Sequence, residues 1–352
     1  MKLAIMLPNW VGDACMATPA LRSLHNEQPN LKEFCWIGRP APLMVLQGLD
    51  WATSTICYKP RSKQPSMLNR RKLVAEMRKR RFDAILLFTN SLSTAFIARL
   101  AGIPRRIGFA RDGRSWLLTD PVPTSNGLFN AYRDPCIVNY LRLANHLGCT
   151  SQDRSTHLVT TEDDRDLASK LWQELDFHPS RPTVLLNAGA ATAETKRWPM
   201  HHAAAAARTL AQQHGFQVLI HCGPAEKEMA NNIESHAQHP SVRSMGHWKD
   251  LPLGLSKGVI ERSQLVISTD SGPRHIAIAL NKPVVSIFGS IDPSMTRSFN
   301  LPESIVSMGL PCQPCGKYKC PLKHTRCMND LDAPRVVRAT LQAFDALQRQ
   351  AG

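Results

Sequence analysis

Short apolar runs recur along the chain, each bounded by turn residues and separated from the next by a stretch with helical spacing. In the first half they read KLAIML, EFCWIG, STICY, DAILLF and RRIGF, with helical segments after Asp13 and around Leu68 to Arg81. In the second half they read TVLLNAG, GFQVLIHCG, QLVIS and PVVSIFG, accompanied by helices such as His201 to His214. Strand-like runs alternating with helical periodicity predict parallel α/β layers, here as two Rossmann-like sets. A segment from Glu162 to Pro182, with an acidic helix over Asp163 to Leu175, separates the sets, so the domains are expected at 1–164 and 165–332. In the last segment, 333–352, Val336, Val337, Leu341, Phe344 and Leu347 fall on one stripe. That spacing predicts a helix that must pack on something, the first domain being the expected partner. Arg111 to Asp134, rich in Gly, Pro, Ser and Asn, reads as a long loop.

Composition narrows the class. A chain of 352 residues with 43% hydrophobic content can bury two cores of ordinary size. No window reaches the roughly 18 apolar residues of a membrane span, and Pro8 and Asn9 interrupt the first apolar run too early for a signal peptide. The expectation is a soluble, cytoplasmic protein. In a reducing compartment the ten cysteines are better read as buried thiols or metal ligands than as a disulfide framework. Six of them are scattered and are assigned to the core.

Charge is uneven. The net charge is +15, and residues 1–160 hold 22 basic against 10 acidic residues, while 161–352 hold 21 against 18. From Lys59 to Arg81 ten basic residues accompany a single acid, Glu76. Such a run is either a solvated helix face or a surface for something anionic: a nucleic-acid backbone, a membrane, or a phosphorylated or carboxylated substrate. Aromatic residues for base stacking are sparse there, which ranks nucleic acid last.

In open α/β sheets ligands bind beyond the carboxyl ends of the strands, so the loops after the strands carry the chemistry. After the first strand, PNWVGD offers Gly12 for a sharp turn and Asp13 at a helix start, either as an N-cap or as a general base. After TVLLNAG come small residues, then the paired charges of Lys196 and Arg197, with Pro199 suited to the next helix's first turn. After GFQVLIHCG, Gly223 and Pro224 turn the chain and Glu226 opens a helix, where a carboxylate can accept from ribose hydroxyls. After QLVIS, Thr269, Asp270, Ser271 and Gly272 form a hydroxyl-bearing turn before an Ala/Ile-rich helix. Its free N–H groups suit a pyrophosphate, and His275 points back to the same end. A final cluster, Cys312, Cys315, Cys320 and Cys327 with His324 inside it, begins with the C-x2-C spacing of zinc sites. Its later spacings are not those of a familiar finger, so metal ligands and buried or weakly redox-active thiols both stay open.

Taken together, PNWVGD, KRWP (Lys196–Pro199), GPAE (Gly223–Glu226), STDSGPRHIAIALNKPVVSIFG (Ser268–Gly289) and PCQPC to KCPLKHTRC resemble the bacterial ADP-heptose:lipopolysaccharide heptosyltransferases of glycosyltransferase family 9, in particular the heptosyltransferase II branch. The resemblance implies a GT-B architecture, two Rossmann-like domains with parallel sheets facing across a cleft, acceptor on the first domain and ADP-heptose on the second. It also implies an inverting transfer with no bound metal and no cofactor. Asp13 falls on the family's proposed general base, Lys196 on its phosphate-contacting lysine and Glu226 on its ribose-contacting acid. Asp270, Ser271, Gly272 and His275 fall on the loop around the donor's pyrophosphate and sugar. The basic first domain would then face a Kdo-containing lipopolysaccharide core and the cytoplasmic surface of the inner membrane, with no nucleic-acid partner.

Two departures from the family pattern stand out: NAGAA where a Pro-Gly pair is frequent, and Pro273-Arg274 after Gly272. Pro273 removes one backbone donor from the phosphate end, and Arg274 is expected to supply a charge in its place. Alternative readings are a sugar-nucleotide epimerase or hydrolase of the same fold, another family 9 enzyme with a different acceptor, and a non-catalytic module that binds nucleic acid or membrane.

Overall fold

A computed structural model describes residues 1–60, 69–124, 134–190, 193–300 and 302–351. Arg61 and Lys63 of the basic run, and Ala191 and Thr192 of the loop before Lys196, lie outside the described residues. The chain divides into two units between Val159 and Thr160.

The first unit runs β1 (Lys2–Met6), α1 (Val11–Glu27), β2 (Glu33–Gly38), α2 (Pro40–Val45), β3 (Ser54–Cys57), α3 (Arg70–Arg80), β4 (Ala84–Leu87), α4 (Leu92–Leu100), β5 (Arg105–Phe109), β6 (Asp120–Val122) and α5 (Cys136–Asn145). The second runs α6 (Glu162–Glu174), β7 (Thr183–Asn187), α7 (Met200–His214), β8 (Gln217–Ile220), α8 (Lys227–Ala237), β9 (Val242–Ser244), α9 (Leu253–Arg262), β10 (Leu265–Thr269), α10 (Gly272–Ala279), β11 (Val284–Phe288), β12 (Ser304–Ser307), α11 (Arg326–Asn329) and α12 (Ala333–Ala351).

Each unit holds one six-stranded sheet, ordered β3-β2-β1-β4-β5-β6 and β12-β11-β10-β7-β8-β9, with every pairing parallel. Read from β9, the second order is the first one repeated, the doubly wound Rossmann order with its reversal between the first and fourth strands of the set. The central strands are apolar along their length because helices cover both faces. Leu3 to Met6, Val184 to Leu186 and Leu265 to Ile267 are fully buried. In the first unit α3 and α4 cover one face, setting Leu73, Met77, Ala95 and Ala98 against Ala4, Met6, Ile85 and Leu87. Right-handed crossovers carry α1 and α2 to the other, where α1 packs on α5.

The two expected Rossmann-like sheets are present, with corrections in detail. Three strands, β6, β9 and β12, escaped the sequence pattern. Each is three or four residues long and lies at or toward a sheet edge, where few apolar positions are needed. The loop expected over Arg111 to Asp134 contains β6 and a 3-10 turn at Ser115–Leu117, pinned by the fully buried Arg114, which donates to the carbonyls of Phe109 and Thr89. The acidic helix expected between the two sets is present as α6. Its Asp164 closes a capping box with Thr161 and pairs at 2.8 Å with the fully buried Lys257 of α9. The amphipathic α12 packs inside the second unit, on α7 and on β10 to β12, with Phe344 edge-on to Phe216 at 4.9 Å. Of the six scattered cysteines, Cys15, Cys35, Cys149 and Cys222 are core residues, whereas Cys136 is half-buried and Cys57 exposed.

Candidate active site

At the reversal point of the first sheet, the chain leaves β1 through Pro8 and Asn9 and enters α1 at Val11. Trp10, not Asp13, is the N-cap, and it makes no side-chain capping bond. Gly12 is an ordinary helical residue, so the expected sharp turn is absent, and Asp13 is the third residue of the helix. There its carboxylate sits in the positive field of the helix start, half-buried and without the capping duty that sequence allowed it. The packing of α5 on α1 brings the Tyr140 hydroxyl to 3.5 Å from Asp13 Oδ1, the outer limit of a hydrogen bond. Tyr140 lies 127 residues away in sequence, and nothing local signals it.

The second unit gathers more. The loops after β7, β8 and β10 meet around Gly189. Thr269 Oγ1 donates to the Gly189 carbonyl at 2.5 Å, and the Glu226 carboxylate lies so close over Gly189 that any side chain there would collide with it. Glu226 ends a 3-10 turn ahead of α8, its Oε2 accepting from the Gly223 N–H at 3.3 Å. Lys196 Nζ reaches Asp270 Oδ2 at 2.7 Å and the Asp270 carbonyl at 3.3 Å. Asp270 Oδ1 faces Arg274 Nη1 at 3.3 Å and His275 Nε2 at 3.7 Å. Burial would raise the Asp270 carboxyl, but the neighbouring His275 and the charges of Lys196 and Arg274 outweigh it and hold the acid far below the usual range. Lys196, Glu226, Thr269, Asp270, Ser271, Gly272 and His275 therefore belong to one neighbourhood at the reversal point of the second sheet.

Arg197 stands at the surface, and Arg274 departs from expectation. Arg197 is exposed, donates Nε to the Ala190 carbonyl at 3.0 Å, and lines a surface cavity with Met200, His236 and Lys323. Arg274 was expected to offer a charge at the start of α10. Instead it is fully buried: Nε and Nη2 hold both oxygens of Glu303 at 2.6 and 2.8 Å, Nη2 also reaches the Thr296 carbonyl, and the guanidinium lies 4.8 Å over Phe288. A cation already neutralised by two buried acids has little field left for a ligand.

The cysteine segment braces the Lys196 loop. Thr195 Oγ1 donates to the Lys317 carbonyl at 2.7 Å, the Cys320 N–H to Glu194 Oε1 at 3.2 Å, and Trp198 Nε1 to the Leu331 carbonyl at 2.7 Å. The N–H groups of Thr325, and then of His324 and Leu322, lower the Cys320 thiol below its usual range. Burial raises Cys327, as do the neighbouring thiols Cys320, Cys315 and Cys312. Among the described residues no three His, Cys, Asp or Glu side chains converge as a metal ion requires.

Two Rossmann-ordered sheets in one chain, with polar groups collected at both reversal points, are the fold of the GT-B glycosyltransferases. The model of glycosyltransferase family 9 (heptosyltransferase) matches residues 70–326, and the chain belongs to that family. It is 25% identical over 344 residues to lipooligosaccharide heptosyltransferase 2 of Campylobacter jejuni, the match covering 96% of each chain. To lipopolysaccharide heptosyltransferase 2 of Escherichia coli strain K12 it is 26% identical, over 84% of this chain and 85% of that one. Its fold is similar to the solved E. coli ADP-heptose lipopolysaccharide heptosyltransferase II, with a TM-score of 0.77 and 22% identity over 99% of this chain and 100% of that one. The protein is thus a glycosyltransferase.

Proposed function

We propose that this chain moves heptose from ADP-heptose to the heptosyl-Kdo inner core of lipopolysaccharide, with inversion at the anomeric carbon. The observation that carries the reading is the neighbourhood of Lys196, Asp270, Ser271 and Glu226 at the start of α10, in a chain of the heptosyltransferase family. The substrates follow from the relatives' names. In this reading Asp13 accepts the proton of the acceptor hydroxyl as its oxygen attacks the anomeric carbon. The bond to phosphate breaks, and ADP departs with the electron pair. Lys196 and the N–H groups of α10 stabilise the charge that grows on that phosphate, already oriented before the reaction begins. Glu226 accepts from the ribose hydroxyls, and His275 borders the sugar.

The same proposal sets the protein on an anionic membrane surface on the cytoplasmic side. Support comes from α4, whose Leu92, Phe96 and Leu100 form an exposed apolar stripe at spacings of four. Trp116, also exposed, stands beside it under the Arg99 guanidinium at 5.8 Å. The neighbouring α3, on the same face of the sheet, exposes Arg70, Arg71, Lys72, Arg78 and Lys79. An apolar stripe flanked by cations matches an anionic lipid interface. No helix among the described residues is long and apolar enough to cross a membrane.

The test is ADP release from ADP-heptose with and without a Kdo2-heptosyl lipid A acceptor, with mass spectrometry of the lipid. Acceptor-dependent release and a gain of one heptose are expected. Release without acceptor would favour a hydrolase or epimerase instead. Asp13→Asn is expected to lower turnover by roughly 100-fold to 10,000-fold with an unchanged melting temperature, and near-normal turnover would remove Asp13 from the role of base.

A further inference from the structure

Beneath the turn that opens α10 runs a buried polar chain that none of the roles above uses. Asn187, which ends β7, directs Nδ2 to Ser271 Oγ at 2.9 Å, to Ser268 Oγ at 3.3 Å and to the Gly189 carbonyl at 3.4 Å. Its Oδ1 stands 3.3 Å from His221 Nδ1, and His221 Nε2 stands 3.0 Å from Ser256 Oγ. Asn187, His221 and Ser256 are all buried.

Donor and acceptor directions follow from what each atom can do. A carbonyl only accepts, so the contact with Gly189 fixes the Asn187 amide with its nitrogen toward the loop and its oxygen toward His221. That oxygen needs a donor, so His221 carries its proton on Nδ1. Nε2 then accepts, and the Ser256 hydroxyl donates to it. Burial holds the imidazole neutral, with its pKa lowered to about 4, so the one-donor, one-acceptor state persists at neutral pH.

The consequence falls on Ser271. Its oxygen receives Asn187, while its own hydrogen has only long contacts, to the Thr269 carbonyl and Thr269 Oγ1, each at 3.3 Å, and to Ser268 Oγ at 3.4 Å. That carbonyl already takes the Ser268 hydroxyl at 2.9 Å. A hydroxyl whose lone pair is engaged and whose hydrogen is poorly served is a donor in waiting. The helix beside it lacks one donor, because Pro273 in its first turn has no N–H, and the buried Arg274 does not replace it.

We propose that Asn187, His221 and Ser256 form a positioning relay that turns the Ser271 hydroxyl outward as a hydrogen-bond donor to the phosphate of the nucleotide, in place of the N–H missing at Pro273. The inference rests on the donor reading above. The relay residues do not touch the ligand; they act through Ser271.

The test uses calorimetric titration of the full chain with ADP. Ser271→Ala is expected to weaken binding roughly tenfold to a hundredfold, the range for a hydrogen bond to a charged group. His221→Asn keeps an N–H where Nδ1 stood and is expected to rescue binding. His221→Gln keeps only the position of Nε2 and is expected to bind as weakly as Ser271→Ala. A merely structural histidine would make these two amides equivalent, and equal affinities would overturn the relay. Where His221→Gln does not fold, Ser256→Ala serves: its several-fold deficit is expected to vanish in the Ser271→Ala background, and simple additivity would overturn the relay. If the parent chain itself fails to bind ADP, the donor reading falls, and the relay with it.

Discussion

His221 makes a prediction that does not depend on any ligand. Its imidazole is buried and its pKa is lowered from 6.5 to about 4 by that burial. In the unfolded chain the ring takes up a proton as pH falls through 6.5, while in the folded chain it resists protonation until about 4. The unfolded state therefore binds more protons between these values, and stability must fall as pH is lowered through them. At pH 5 nearly all unfolded chains carry the proton and only about a tenth of folded ones do, so going from pH 7 to pH 5 removes about 2 kcal/mol. With a typical urea dependence, that moves the unfolding midpoint of the second unit by roughly 1 M. His157 and His201 are also lowered and contribute to the total slope, so the parent must be compared with a variant. Urea titrations at pH 7 and pH 5 on the parent and on His221→Asn supply the comparison. The variant is expected to lose about 2 kcal/mol less than the parent over that interval. Equal losses in the two proteins would mean that His221 is not held neutral, and the one-donor state argued for it would fail.

Other expectations follow from the same network. Lys196→Ala is expected to weaken ADP binding while leaving Asp270 held by Arg274 at 3.3 Å; unchanged calorimetric affinity would remove Lys196 from the phosphate site. Asp270→Ala leaves Lys196 without its partner and Arg274 with Glu303 alone, and is expected to cost about 3 kcal/mol in urea, at the lower end for a broken buried pair. Because the Asp270 pKa is depressed, that difference is full above 3.8 and shrinks as acid titrates the group. Phe96→Asp together with Leu100→Asp is expected to abolish co-sedimentation with vesicles containing phosphatidylglycerol, and undiminished binding would clear the α4 stripe of that role. Glu27, which accepts from Thr150 and Ser151 and has its pKa lowered to about 2, is expected to release that tie only below about pH 3. A Glu27 carboxyl resonance that titrates near 4.5 in the folded protein would contradict it.

The strand and helix alternation was legible because a parallel sheet covered on both faces demands unbroken apolar runs, and β1, β2, β4, β7, β8, β10 and β11 obey that demand locally, while β3 and β5 do so only in part. The loop motifs were legible for a related reason: ligand-binding groups follow strands, so Asp13, Lys196, Glu226 and Asp270 could be picked out by their position after an apolar run. What each side chain does there was not. Residue order alone allowed Asp13 to be a cap and Arg274 to be a ligand-facing charge. The helix begins two residues before Asp13, and Glu303, 29 positions beyond Arg274, draws the guanidinium inward. Asn187 and His221 each close an apolar strand run, a signal open to notice in the sequence. Their meaning arises only when adjacent strands β7 and β8 bring them within 3.3 Å. Local sequence determines backbone preference and which face is apolar, because these depend on neighbours a few residues away. Charge neutralisation, proton position and burial are set by groups as far as 29, 34 and 127 residues away, and only the tertiary structure decides which of them meet.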